Sequence, residues 1–291
     1  MVTLADLLSV GCGALVGSAL GLLGGGGSIL AVPLLLYVVG VPSTHVAIGT
    51  SALAVAVNAF ANLIPHSRGG HVKWPCAATF AVAGLGGAAI GAALGKRVDA
   101  DALEFLFGIV MFAVAFAMLM PRAAQGDPSI RINPAIAARL LIIGLVVGFL
   151  SGFFGIGGGF LIVPGIMLGS GMATLNAIGS SLVSVGVFGL TTAVSYASSD
   201  LIDWRIAGFF VAGGIAGGIA GSFGARRLAA HRNRLNRVFA IVVMIVAAFV
   251  LWRSGQTFAI DKTNGDSALL QLPPADYRER RLFVDEVSYR P

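Results

Sequence analysis

The sequence predicts an all-helical (all-α) integral membrane protein of two inverted-topology repeats, each a glycine-broken helical hairpin followed by three transmembrane helices. Three observations predict it. Hydrophobic residues make up 57% of the chain and charged residues only 11%, far from soluble globular usage. Charge is absent from 7–44, 105–121, 140–199 and 206–225, and about 20 apolar residues suffice to cross a bilayer. Finally, the chain says the same thing twice. Gly21-Leu22-Leu23-Gly24-Gly25-Gly26-Gly27-Ser28-Ile29-Leu30-Ala31-Val32-Pro33 returns as Gly152-Phe153-Phe154-Gly155-Ile156-Gly157-Gly158-Gly159-Phe160-Leu161-Ile162-Val163-Pro164. Hydrophobic segments interrupted by glycine at matching places of two halves point to a transporter's binding site.

The elements follow in order. Residues 1–120 form transmembrane repeat 1, 121–137 a linker, 138–252 transmembrane repeat 2, and 253–291 a polar C-terminal tail. Each repeat opens on a broken element, 4–40 or 138–170. Helices are expected at 46–65, 74–95 and 103–120, then at 176–196, 205–225 and 236–252. Pro42, Pro65 and Pro75 are expected at helix boundaries, where proline is tolerated. The linker carries Pro121, Gly126, Asp127-Pro128 and Asn133-Pro134, a turn-rich composition. The tail turns polar abruptly and reads as a solvated extension. No Lys or Arg precedes the first apolar run, so it reads as a membrane segment and not a cleaved signal peptide.

Loop charge decides the topology. Placing the arginine-rich 226–237 loop in the cytoplasm, an inverted arrangement also puts Arg68, Lys73, Arg122, Arg131 and Arg139 inside. Only Lys96, Arg97 and Arg205 are then left in outside loops. A parallel arrangement divides the cations almost evenly, against the positive-inside rule. The net charge of +6 therefore reports bilayer orientation and no nucleic-acid partner.

The arms after the glycine runs, about 28–40 and 159–170, are too short to span alone. Their helices are expected to begin inside the membrane, at Gly26-Gly27-Ser28 and Gly157-Gly158-Gly159. Free N–H groups and the positive end of the helix dipole there suit an anion. Irregular backbone at that depth is tolerated only against protein or a wet cavity. Glycine used for close packing, with kinks at Pro33 and Pro164, is the alternative. Thr50-Ser51 and Ser180-Ser181, after Gly49 and Gly179, offer hydroxyl donors or simple helix caps. Asn58 and Asn62 lie one turn apart, with Thr191 and Thr192 at corresponding depth. They line the same cavity or bond neighbouring helices. His66 and Arg68 are expected at a vestibule. The glycine stripes Gly84–Gly95 and Gly213–Gly224 are expected to pack helices closely.

All thirteen acidic residues fall at span ends, in loops or in the tail, so no carboxylate is evident mid-membrane to hold a coupling proton or sodium ion. Cys12 and Cys76 form no metal or redox motif. No metal ligand set, cofactor motif or catalytic constellation is present, and an enzyme is not expected.

The two glycine motifs, with Gly49-Thr50-Ser51 and Gly179-Ser180-Ser181 behind them, resemble those of the sulfite exporter TauE/SafE family over roughly 8–252. The resemblance implies a multi-pass permease of the bacterial inner (cell) membrane for sulfite or a related sulfur-containing anion such as sulfoacetate. Gly25, Gly26, Gly27, Ser28, Thr50, Ser51, Asn58, Asn62, Gly157, Gly158, Gly159, Ser180 and Ser181 are then the expected substrate-binding residues around one central anion. Alternating access comes from one repeat rocking against the other, and export is driven by membrane potential and gradient. Repeat one departs from the family pattern at Gly25 and Ser28. Some members handle thiosulfate with cysteines along the path, so an uptake permease for thiosulfate is one alternative. A passive channel for small anions or neutral solutes is another, and a membrane scaffold docking through its tail a third. The expected partners are the small anion and the lipid bilayer. The sequence does not set the oligomeric state; a homodimer is compatible with it.

Overall fold

The structure, a computed structural model, describes residues 3–119, 130, 132–155, 159–227 and 240–253. Most of the linker and the tail from 254 lie outside them. Among the described residues the regular structure is helical, with no strand. Helix α1 (Leu4–Leu23) runs into a 3-10 segment (Gly24–Leu30), a short α2 (Ala31–Leu34) and a π segment (Leu35–Val39). Then come α3 (Thr44–Arg68), α4 (Trp74–Gly95) and α5 (Ala100–Leu119). The second half holds α6 (Pro134–Phe154), α7 (Gly159–Ser170), α8 (Thr174–Ala197) and α9 (Trp204–Arg227), and ends on α10 (Ala240–Arg253). Six of the helices are long and apolar enough to cross a membrane.

Two expectations are corrected. α-Helical backbone after the first glycine run resumes at Ala31, not at Gly26-Gly27-Ser28, because the glycine-rich stretch winds as the tighter 3-10 form. Pro65 lies inside α3, one turn before its end, where a missing N–H costs little cooperative helix.

The innermost spans are α3 and α8, whose span windows are 67% and 72% buried, against 33–50% for the other four. They run antiparallel. A β-carbon on Gly49 would lie 2.9 Å from the Tyr196 β-carbon, one on Gly189 3.1 Å from that of Ala56, and one on Gly186 2.6 Å from the Phe60 ring. The register crosses at Asn58 and Phe188, which occupy equivalent positions of the two halves.

Around this pair, glycine brings helices of different halves into backbone contact. In α1, β-carbons on Gly13 and Gly17 would lie 2.0 Å from the carbonyl oxygens of Phe210 and Gly214 in α9. In α6, the equivalent Gly144 and Gly148 would meet the carbonyl oxygens of Phe80 and Gly84 in α4, at 2.7 and 2.2 Å. The stripes answer in kind: Gly217 and Gly221 face Ala14 and Ser18, as Gly87 and Gly91 face Leu145 and Phe149. Residue numbers rise together along both pairs, so α1/α9 and α4/α6 are each parallel. Small residues let membrane helices approach this closely, with Cα–H···O contacts as a further gain.

The two ends of the bundle differ in charge. Asp6 in α1 receives a bidentate ion pair from Arg205 in α9, the closest approach being 2.7 Å. Lys96 donates to the Ser195 carbonyl and the Ser199 hydroxyl at 2.8 and 3.0 Å, and Tyr37 donates to Glu104. These contacts gather Asp6, Asp99, Asp101, Glu104, Asp200 and Asp203, every acidic residue described, at one end. Arg68, Lys73 and Arg139 lie at the other. Asp6 was expected at an unremarked span end; it is 1% exposed, its charge offset by Arg205. Trp74 and Trp204 open α4 and α9 with side chains more than half exposed, as interfacial aromatics do.

Candidate functional site

The first arm folds back on the helix that precedes it. A β-carbon on Gly27 would meet the Leu20 nitrogen at 2.6 Å and the Ala19 side chain at 2.7 Å, so here the missing side chain serves packing. The Gly24–Leu30 segment also packs against α7 and α8, which brings the two broken elements together. In the second half, Gly155 closes α6 with φ of 64°, and a β-carbon on it would lie 2.0 Å from Ile48 Cγ2. Both the left-handed backbone and the close approach demand glycine there. α7 is described from Gly159 onward. Gly157 and Gly158 lie outside the described residues, and of Gly25 and Gly26 only the backbone is described.

The hydroxyl residues have a division of labour the sequence does not announce. Thr50 Oγ1 accepts the Asp203 backbone N–H at 3.0 Å, and Ser180 Oγ accepts the Lys73 backbone N–H at 2.9 Å. Asp203 and Lys73 immediately precede α9 and α4, so each hydroxyl receives a helix-entry N–H from the other half. These are caps in trans, not caps of their own helices, and each hydroxyl keeps its proton to donate. Ser51 and Ser181 instead donate to carbonyls one turn back, Ile48 and Ile178, at 2.9 and 2.8 Å. Ser51 Oγ also reaches the Gly155 carbonyl at 3.2 Å, joining α3 to the second glycine break.

The expectation of a single coordination sphere is corrected by the α3/α8 register. Thr50 lies near the level of Tyr196, and Ser180 near that of His66. Sixteen residues of helix separate the two levels, roughly 20–25 Å at about 1.5 Å per residue. One small anion cannot touch both. The structure therefore holds two separate hydroxyl pairs, Thr50 and Ser51 beside Gly155 toward the acidic end and Ser180 and Ser181 toward the basic end.

Between them lies Asn58. It is fully buried, and neither its Nδ2 nor its Oδ1 has a partner. It sits over Gly214, whose β-carbon would lie 2.0 Å from Asn58 Nδ2. Asn62, 3% exposed, donates to the Asn58 carbonyl at 2.9 Å. Thr192 makes the equivalent bond to Phe188, also at 2.9 Å, and Thr191 donates to Val187. Asn62 and the two threonines are thus spent on their own helices; Asn58 is not.

Three buried polar groups escaped the sequence reading. Ser151 in α6 and Ser184 and Tyr196 in α8 are at most 1% exposed, and their hydroxyls lack partners. Native interiors rarely leave such groups unmatched without a water or ligand. The available signal was Ser184, one turn beyond Ser180-Ser181, and Tyr196, standing where the first half has His66. His66 itself is 9% exposed, its ring edge-on to His71 at 6.3 Å, and Arg68 is exposed at the same basic end. A cavity of about 410 Å³ opens at the acidic end, beside the tip of the first arm, lined by Tyr37, Thr44, Asp101, Glu104 and Arg253 among others. Cys12 and Cys76 are buried free thiols.

Comparison with known proteins agrees with this architecture. Residues 9–250 match the family described as Sulfite exporter TauE/SafE. A "Probable membrane transporter protein" of Xylella fastidiosa is 51% identical over 253 residues, covering 85% of this chain and 95% of that protein. The "Probable membrane transporter protein YunE" of Bacillus subtilis is 26% identical over 259 residues, 82% of this chain and 93% of its own length. No solved structure matches the chain. With a family match that spans both halves, two glycine-broken elements and six candidate spans, the chain belongs to the sulfite exporter TauE/SafE family of membrane transporters.

Proposed function

We propose that the protein exports sulfite, or a related small sulfur-containing anion such as sulfoacetate, across the bacterial inner membrane through two inverted repeats. The observation that carries the reading is the antiparallel crossing of α3 and α8. These are equivalent helices of the two halves, and an in-plane pseudo-two-fold axis sets equivalent helices antiparallel, whereas an axis along the membrane normal sets them parallel. The axis passes at Asn58 and Phe188. It relates the Thr50–Asp203 bond to the Ser180–Lys73 bond, and the α1/α9 contact to the α6/α4 contact.

On this reading the anion steps between two stations. At one, the Thr50 hydroxyl, which keeps its proton, and the backbone of Gly157, Gly158 and Gly159 receive it, beside Ser51. At the other, the Ser180 hydroxyl and the backbone of Gly25, Gly26, Gly27 and Ser28 do, beside Ser181. Asn58 Nδ2 offers a donor at the crossing, and Ser184 and Tyr196 offer hydroxyls along α8. An anion leaving an inside-negative cytoplasm gains about 2.3 kcal/mol per charge per 100 mV, so export needs no buried coupling carboxylate. The described acids all lie at one end, in keeping with that economy.

Proteoliposome flux of sulfite, sulfate, thiosulfate and sulfoacetate under a set potential tests the reading. Saturable flux of a sulfur oxyanion that rises with the potential is expected, and Gly158→Leu abolishes it without loss of membrane insertion. Normal flux in that variant removes the glycine station. Flux that does not saturate and ignores competitors makes the protein a channel.

A further inference from the structure

The loops that close the two stations share one backbone and carry opposite charge in their own residues, with Lys96 bonded onto the second at Ser195 and Ser199. In the first half, the loop between α3 and α4 turns through His71 N–H to the His66 carbonyl at 3.2 Å and Gly70 N–H to the Ser67 carbonyl at 3.1 Å. In the second, Leu201 N–H reaches the Tyr196 carbonyl at 3.0 Å and Asp200 N–H the Ala197 carbonyl at 3.1 Å. Each loop tucks under a glycine. A β-carbon on Gly179 would lie 2.6 Å from the His71 carbonyl oxygen, and one on Gly49 2.2 Å from that of Leu201. Each ends by donating a backbone N–H to the station hydroxyl, Lys73 to Ser180 and Asp203 to Thr50. Yet Lys73 is a cation where Asp203 is an anion, and Arg68 and His71 stand where the other loop has Ser198 and Leu201.

One position of the second loop carries its acid on unfavourable backbone. Gly70 takes a left-handed φ of 70°, which glycine adopts freely. Its equivalent, Asp200, takes φ of 54° and is the one non-glycine residue with positive φ among those described. Left-handed backbone is unfavourable for any L-residue, though Asp and Asn tolerate it better than most. Glycine would relieve it, as it does in the other loop.

Resting on the reading of the protein as an anion transporter, we infer that this mismatch rectifies transport: Lys73, with Arg68 and His71, collects the anion at one station, and Asp203, with Asp200, disfavours its return at the other. Lys73 and Asp203 are thus specificity-determining residues that set side preference and the sign of the charge carried. A potential focused at a narrow mouth raises the local concentration of the opposite charge and lowers that of the like charge. Because these side chains sit at loop ends in contact with water, salt weakens their effect.

The variants that test this keep the structural bonds. Lys73→Met leaves its backbone N–H on Ser180. Asp203→Asn keeps a side-chain oxygen for the Ile206 N–H, which Asp203 Oδ1 accepts at 3.0 Å. Arg68→Gln, at an exposed site, serves if Lys73→Met assembles poorly. Labelled sulfite flux is measured in right-side-out and inside-out vesicles, at low and high salt. One unit charge at this range changes half-saturation by about three- to tenfold at low salt. Lys73→Met is expected to raise half-saturation by that factor from the basic side, with the ratio of maximal rate to half-saturation changing equally in both directions at zero potential. Asp203→Asn is expected to lower it from the acidic side under the same constraint. Both effects shrink at high salt. Wild-type sulfite flux with both half-saturations unchanged in the variants overturns the inference and leaves the transport function standing. It would mean that the charges only orient the chain in the membrane. Wild-type protein that moves no sulfite overturns the function, and this inference with it.

Discussion

Replacing Thr50 by valine separates what its hydroxyl does for the fold from what it does for the anion. Valine keeps the volume and removes the acceptor of the Asp203 N–H. Thr50 is fully buried, so no water reaches the vacated N–H from that side. A donor left without its acceptor in such a place costs about 1–3 kcal/mol. For a chain of this size each kcal/mol moves Tm by about 2–4 °C, so thermal unfolding in detergent should fall by roughly 2–12 °C. Ser180→Ala should cost about as much, because its hydroxyl accepts the Lys73 N–H at nearly the same distance. The two sites are roughly 20–25 Å apart along α3/α8, so the double variant should show the sum of the single effects. Thr50→Ser retains the acceptor and should stay near wild type. If Thr50 also donates its proton to the anion, Thr50→Val additionally raises half-saturation while Thr50→Ser does not. A Thr50→Val protein that melts with wild type, or a Thr50→Ser protein that falls equally far, refutes the cap.

Further outcomes follow from single contacts. Gly17→Leu and Gly148→Leu should each prevent recovery of folded protein, because a β-carbon would lie 2.0 or 2.2 Å from a carbonyl oxygen of the partner helix; overpacking of this kind costs about 1–3 kcal/mol or more. Gly86→Leu, with nothing within 4 Å, is the control in size-exclusion profiles. Asn58→Leu should leave Tm unchanged or higher, since its amide has no protein partner, while flux at low substrate falls about ten- to hundredfold through loss of one bond to a charged ligand, about 1.5–3 kcal/mol. A lower Tm with intact flux would make Asn58 structural. Tyr37→Phe removes the bond to Glu104 but keeps the ring under the Arg253 guanidinium and against Phe249. Hydrogen exchange should quicken in Leu35–Val39 and not in α3.

The spans were legible because they are runs of apolar residues ended by Pro, Gly or charge. Trp74–Gly95 appears with the bounds its sequence gives, and α3 and α8 differ from theirs by a few residues at each end. The glycine stripes were legible as contact faces, but a stripe does not say which helix it meets. That α4 meets α6 and α9 meets α1 is set by tertiary topology. The station residues were legible as types, in that Thr50-Ser51 and Ser180-Ser181 do sit beside the broken elements. Their separation was not, because depth depends on the register of two antiparallel helices, and one sequence carries no record of it. Ser184 and Tyr196 were hidden for the same reason, as lone polar residues in apolar runs whose neighbours only the fold reveals.

The exchanged pairing bears on how such a protein can alternate. If each half moved as a rigid body against the other, both glycine interfaces would have to part, since α1/α9 and α4/α6 each join one helix of the first half to one of the second. Those interfaces are backbone against backbone, with carbonyl oxygens where β-carbons would be, and packing this close has no intermediate looser arrangement. The motion of least cost keeps both pairs intact and moves them as units against α3, α8 and the two arms. Contacts there include side chains, such as Asn58 over Gly214 and Phe188 over Gly84, which can change rotamer. The hydroxyls of Thr50 and Ser180 hold the entries of α9 and α4, so one side-chain hydrogen bond ties each of these helix entries to the central crossing. On the proposed function, an anion that draws on one of these hydroxyls would act at the entry of an outer helix, and filling one station and emptying the other would bear on opposite pairs.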